Sequence, residues 1–186
     1  MATGSGDFEL TIDELRVVAR YAVESAEKVL PLFEQVDGKD PRPRAAIAAA
    51  WEFANGAPRT RLQRVTSLDA HRAAKEVQIE FAQHAARAAG DAAAAAYLHP
   101  IAQGTQVGHI LRAAAGAARA AELSAGGDPT IGDALIEQAR RRATPALVDI
   151  LNRYPLAPVG TGRVAHLMSV LDTSLRMPRQ LGTRWS

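Results

Sequence analysis

Residues 84–100 read "HAARAAGDAAAAAYLHP". Two histidines and an aspartate bracket a run of alanines, and the fold turns on what that run is for. It is either a chemical site or a helix built for close packing. Alanine is the strongest helix former because its methyl group loses no rotamer freedom on folding. On a helix placed over residues 76–98, Val77, Phe81, Ala85, Ala88, Ala92 and Ala95 form one stripe. Glu76, Glu80, His84, Arg87 and Asp91 form the opposite one. This polar stripe is expected to face water, with Arg87 and Asp91 making an exposed pair worth only about 0.3–0.5 kcal/mol. Past Asp91 the stripe continues as Ala94 and Leu98, so the helix passes into surroundings that are buried on nearly all sides. Gly90, Gly108 and Gly116 extend the small surface. The reading is a tightly packed central helix pair, residues 84–98 and 105–124.

Working outward, the neighbouring segments also carry helical signals. "LTIDE" starts a helix, with Thr11 as N-cap, Glu14 completing a capping box and Leu10 stapling to Leu15. Apolar residues then recur at helical spacing to about Phe33, with Pro31 marking an earlier end or a kink. Asp40-Pro41 opens a second helix that stops at Asn55-Gly56. Residues 61–98 are helical with a bend or break. "EVQIEF" alternates with period two, but its flanks are alanine-rich and lack turn residues, so a strand is rejected. Pro100 ends the segment, and Thr105 is expected to cap the next helix. Asp128-Pro129 and Thr144-Pro145 open two more, and a last one runs through Val164, Leu167, Met168, Leu171 and Leu175. The expected fold is all-α, a single-domain bundle of about seven or eight helices over residues 10–177, mostly in sequential antiparallel packing. Residues 1–9 are expected to be a flexible lead and 178–186 a loose tail.

Composition bounds the function. The 186 residues are 47% apolar and contain no cysteine, which removes disulfides, thiol catalysis and cysteine zinc sites together. The charge-free window from Ala92 to Leu111 is too weakly apolar to span a bilayer. "MATGSGDFEL" has neither a basic region nor an apolar stretch of signal-peptide type, so a cytoplasmic location is expected. Charge is segregated. Residues 1–40 hold nine acids and four bases, whereas residues 41–186 hold eleven acids and eighteen bases. An acidic N-terminal arm on a basic body either pairs internally or presents a surface to a charged partner. Asp13, Glu14, Glu24 and Glu27 are the partner-binding candidates on that arm.

Two arginine clusters suggest an alternative, nucleic-acid contacts by a regulator. Arg59, Arg61 and Arg64 lie in a stretch without an acid between Glu52 and Asp69, and Arg140, Arg141 and Arg142 fan around a helix. Aromatic content of 5% argues against readout by base stacking. Tyr97, His99 and His109, near the turn of the central helix pair, are the candidates for a small-molecule or metal pocket, with capping and polar-network roles as the simpler reading. They lack a third ligand at helical spacing and there is no HExxH, so no metal site and no cofactor is expected. His71 and His166 have no carboxylate–histidine grouping around them in sequence. No serine sits in a nucleophile elbow.

The pattern "ARAAGDAAAAAYLHP", a short loop, then "QVGHILRAAAGAARAAE" resembles the Imm-5-like immunity proteins of bacteria. The resemblance is best over residues 41–124, and the chain departs from it at Asp91 and Tyr97-Leu98. It implies an all-α, non-enzymatic protein of a toxin–immunity system that neutralises a cognate toxin by binding it. It transfers no catalytic residue.

Overall fold

Close approach of one alanine-rich helix to five others organises the molecule. The computed structural model describes residues 7–177, and the expectations for residues 1–6 and 178–186 lie outside that range. Among the described residues there are nine α-helices and no strand: α1 Ile12–Glu27, α2 Leu30–Glu34, α3 Arg42–Ala54, α4 Arg61–Glu76, α5 Glu80–Ala94, α6 Val107–Ser124, α7 Pro129–Arg142, α8 Pro145–Leu151 and α9 Arg163–Arg176. Eight of the nine have seven residues or more, so the all-helical bundle is as expected. Sequential neighbours α3 to α7 pack on one another in chain order. In addition α1 lies across α3, α5 and α6, and α9 returns to α6 and α7.

The helix starts follow local chemistry. In α1 the Glu14 amide donates to Thr11 Oγ1 at 3.2 Å, and the Thr11 amide donates to the Glu14 carboxylate at 2.8 Å. Leu10 and Leu15 are both buried beside this box, as a staple requires. Thr60 forms a second capping box with Gln63 at the start of α4, which sequence reading did not identify. Asp128 and Thr144 cap α7 and α8, each followed by a proline in the first turn. Pro31 has the effect expected of it: α1 stops at Glu27 and the chain restarts as α2 with the proline in its first turn. At the end of α3, Gly56 takes a φ of 110°, a conformation that costs glycine little and other residues much.

Three expectations need correction. The bend or break expected within residues 61–98 is a break at residues 77–79, so the helix placed over residues 76–98 begins only at Glu80 and gives way to a 3₁₀ turn at Ala95. Val77 turns to an extended conformation with ψ 140°, and its carbonyl accepts from the Gln83 side chain at 2.9 Å. Glu76 therefore belongs to α4. Thr105 does not cap α6. It sits inside a 3₁₀ turn, Gly104–Gln106, that leads into the helix. The flexible lead was expected to reach residue 9, but residues 7–9 are fastened. The Asp7 amide donates to the Pro100 carbonyl at 2.8 Å, the Ala102 amide donates to the Asp7 carboxylate at 2.7 Å, and Phe8 meets the Tyr154 ring edge-on at 5.0 Å.

The opening stretch is a packing device over most of its length. Ala82, Ala85, Ala86, Ala88, Ala89, Ala92 and Ala93 of α5 are all buried, and Ala95 and Ala96 continue the run in a 3₁₀ turn. On the facing helix Ala113, Ala114, Ala115, Ala117, Ala118 and Ala120 are buried too. Gly90 lies so close to α4 that a Cβ there would stand 2.8 Å from the His71 ring and 3.0 Å from the Ser67 carbonyl oxygen. Larger apolar side chains, including Phe33, Phe53, Leu15, Ile110 and Leu111, fill the space around this seam.

Two substitutions in the seam are expected to move stability in opposite directions. A Cβ at Gly116 would meet the Ala88 methyl at an ordinary 3.6 Å. Gly116→Ala should therefore stabilise by about 0.5–1 kcal/mol through helix propensity. Ala92 is fully buried, and Ala92→Leu should destabilise by about 1–3 kcal/mol by overpacking. Urea denaturation of the two variants checks the pair. Tolerance of leucine at 92 would contradict the packing.

Candidate functional site

The acidic candidates all lie on α1, whose start is set by the Thr11 box. At 3.6 residues per turn, Asp13, Glu24 and Glu27 fall within about 60° of one another, and Glu14 points away from them. Glu14 is engaged by the Arg153 guanidinium beyond α8, which holds its carboxyl below the usual range, with the Thr11 amide adding to the effect. Glu24 pairs with Arg142 at 2.7 Å. Asp13 touches Arg16 at 2.7 Å, but its side chain remains 83% exposed. Glu27 is exposed. The structure thus brings three of the four candidates to one face and leaves two of those three open to solvent.

That face borders a cleft of about 280 Å³ between α1, the end of α3 and the α7–α8 junction. Three arginines line it, each held over an aromatic ring. Arg16 lies 6.0 Å from the centre of Phe53, Arg20 5.3 Å from Trp51 and Arg142 4.9 Å from Tyr21. Arg16 donates to the Gly56 carbonyl at 2.8 Å, and Arg20 donates to the Ala54 carbonyl at 3.2 Å and to Asn55 Oδ1 at 2.6 Å. Cations on the free carbonyls at the end of α3 complement its dipole and fasten α1 to it.

The segregated charge of the sequence pairs up on folding. Glu34 meets Arg44 at 2.6 Å and Asp40 meets Arg42 at 2.6 Å, in addition to the bonds of Glu14 and Glu24. Four of the arm's nine acids, Glu14, Glu24, Glu34 and Asp40, thus pair with arginines of the body.

Four of the six arginines proposed for nucleic acid are engaged within the protein. Arg140 and Arg141 both grip Glu137, at 2.6 and 2.7 Å, and pull its carboxyl down to about 2. Arg142 reaches back to α1 through Glu24, the Ser25 hydroxyl and the Tyr21 carbonyl. Arg59 donates to the Ala96 carbonyl at 3.1 Å and covers the Tyr97 ring. Arg61 and Arg64, exposed on α4, are the two of the six left without an ion pair or hydrogen bond among the described residues.

Tyr97, His99 and His109 serve as ties at the helix-pair turn. The Tyr97 hydroxyl donates to the Thr60 carbonyl at 2.7 Å. The His99 backbone donates to the Gln106 side chain at 3.1 Å and accepts from the Tyr154 hydroxyl at 2.9 Å. His109 is half-buried, and burial, followed by the charges of Arg112 and His99, lowers its pKa. Among the described residues no group of three or more metal-ligating side chains converges.

One constellation was missed. Asp91 does not face water. Its side chain is 13% exposed, and it lies 3.5 Å from His71 of α4 and 4.0 Å from Arg112 of α6. His84 is likewise half-buried, and no pair joins Arg87 to Asp91. Glu76, Glu80 and Arg87 of the polar stripe are exposed as expected, and His84 and Asp91 are covered where α4 and α6 flank α5. Burial pushes the Asp91 carboxyl up to about 7, against the pull of Arg112 and Arg87. Burial also lowers His71, with Arg112, Arg87 and Lys75 acting in the same direction. Gly90, with no side chain, opens the room that the His71 ring fills. The sequence signal was a glycine adjoining an aspartate on a helix, but the histidine partner is twenty residues away on another helix.

The family model described as "Imm-5 like putative immunity protein" matches residues 9–144, and the chain belongs to this family. The match extends well beyond residues 41–124, where the resemblance was strongest, and takes in α1 and α7. No curated protein and no solved structure matches the chain. No described helix is long and apolar enough to cross a membrane.

Asp91 makes stability depend on pH in a defined direction. A carboxyl raised from 3.8 to about 7 contributes stability fully below its unfolded value and loses it as pH rises through about 7. Asp91→Asn removes that loss. Between pH 5 and pH 8 the variant should gain about 2 kcal/mol relative to wild type. Urea denaturation of both proteins at several pH values checks this, and parallel pH profiles would contradict it.

Proposed function

We propose that this chain is a non-enzymatic immunity protein that neutralises a cognate toxin by binding it, with the outer face of α1 as its contact surface. The observation that carries the reading is the family match, which includes the whole of α1. On that helix Asp13 and Glu27 stand in solvent beside a cleft. Exposed carboxylates on one helical face attract a basic partner at long range and raise the association rate more than they tighten the final complex. A basic toxin such as a nuclease fits that chemistry, and the cytoplasm is the compartment where such a toxin would have to be met. The arginine clusters support a nucleic-acid role less well, because four of their six members are engaged within the protein.

The test is co-expression with each toxin candidate encoded beside the gene, followed by binding kinetics on the purified pair. The wild-type chain should restore growth. A double charge reversal, Asp13→Lys with Glu27→Lys, should slow association about tenfold at low salt and leave dissociation nearly unchanged. Failure of the wild type to protect against or bind any neighbouring toxin would overturn the reading. Unchanged association in the double variant would remove α1 as the contact surface.

A further inference from the structure

The arginine-lined cleft has donors left over. Arg142 has the Glu24 carboxylate 2.7 Å from its Nε without a hydrogen bond to it, and its Nη2 donates to the Ser25 hydroxyl at 2.7 Å and the Tyr21 carbonyl at 3.0 Å. Arg16 is engaged at both terminal nitrogens, by Asp13 and by the Gly56 carbonyl, but its buried Nε has no hydrogen-bond acceptor. Arg20 uses only Nη2, for Ala54 and Asn55. Its Nε and Nη1 meet no acceptor among the described residues. The Thr144 hydroxyl, also on the cleft wall, accepts from the Leu147 amide at 3.2 Å and retains its own proton to donate. Arg20 is an exposed residue of the cleft wall, so its Nε and Nη1 N–H groups are open to an incoming acceptor.

The charge at the cleft selects among anions. Its two carboxylates, Asp13 and Glu24, each have an arginine partner. Arg20 has no carboxylate partner, so the lining carries one net positive charge. A dianion would bring its second charge against the two carboxylates. A single carboxylate satisfies Arg20 without that repulsion. Of the remaining lining, Val17 is partly exposed beside the charged groups, and Tyr21 and Leu147 are buried beneath it. At about 280 Å³ the space lies near the lower end of small-ligand sites, roughly 300 Å³.

We infer that the cleft between α1, the end of α3 and the α7–α8 junction is a binding site for a monocarboxylate with a small apolar body, seated on Arg20 with its apolar part against Val17. The carboxylate belongs either to a free small acid or to an acidic side chain of a protein partner. The chemistry is the same in both cases. The inference does not depend on toxin binding, because the cleft can be titrated in the isolated protein.

The experiment is an amide NMR titration of the full chain with three probes: benzoate, its neutral isostere benzamide, and the blocked peptide acetyl-Leu-Glu-Leu-amide. Benzoate or the peptide should give saturable shifts at Val17, Arg20, Thr144 and Leu147, and benzamide should not. Saturation by benzoate marks a free acid as sufficient, and saturation by the peptide alone assigns the site to a partner's side chain. Arg20→Gln should weaken whichever probe binds by about tenfold, as expected for the loss of a charge-assisted hydrogen bond. Arg20→Lys should fall between the two. Absence of saturable shifts with both acids, equal binding of benzamide, or undiminished binding in Arg20→Gln would overturn the inference. The comparison of probes on the wild-type chain holds even where a variant folds poorly.

Discussion

The approach of α5 to its neighbours is the constraint on which the rest of the structure depends. Helices separated by methyl groups lie closer than helices separated by leucines, and at that distance backbone and side-chain atoms of both partners make dense dispersion contacts. Each alanine buries little area, so the seam does not supply most of the hydrophobic free energy. That comes from the larger side chains around it, Leu10, Leu15, Phe33 and Phe53 on one side and Ile110, Leu111, Leu167 and Leu171 on the other. The alanines set the distance that lets those side chains meet. Gly90 shows how tight the tolerance is, since one added methyl group would collide with the His71 ring.

Arginine does much of the joining between elements. Arg163 of α9 donates to the buried Glu122 of α6 and to Asp133 of α7, and Arg119 takes the other oxygen of Glu122 at 3.0 Å. A charge this deeply buried is tolerated only because its lone pairs are filled. Gly132 makes the space, since a Cβ there would overlap the Glu122 carboxylate. At the far end of α9, Arg176 bonds Asp172 at 2.6 Å, and Asp172 accepts from the Ala157 amide at 2.9 Å. The segment that lies outside the family match is thus tied to the matched bundle through polar contacts as well as packing. The same use of planar, many-donor guanidinium groups appears at the cleft, where arginines lie over rings and cap α3.

Asp91 and its neighbours stand apart from this pattern of matched pairs. Its carboxylate has a histidine at 3.5 Å and a guanidinium at 4.0 Å. Burial acts on Asp91 and His71 alike by favouring the uncharged form of each. A buried group of this kind resembles the acid–base residues of enzymes. Here it is a local cost tolerated where three helices converge.

The sequence by itself determined whatever depends on near neighbours in the chain. Thr11 with Glu14, Asp128 with Pro129, Thr144 with Pro145 and Asn55 with Gly56 fix helix ends within a few residues, so those boundaries were legible. Alanine at helical spacing on α5 and α6 likewise announced a close pair, because a stripe of methyl groups has few other uses. The break at Val77 and the 3₁₀ entry to α6 were not legible at the residue level, since several backbones satisfy the same local preferences there. For the candidate site, the acidity of the N-terminal arm pointed to Asp13, Glu14, Glu24 and Glu27. Only the tertiary structure decided that Glu24 is engaged by Arg142, that Arg140 and Arg141 close on Glu137, and that Asp91 faces His71. Periodicity assigns a residue to a face of its own helix. Whether that face meets water or another helix depends on contacts between residues far apart in the chain.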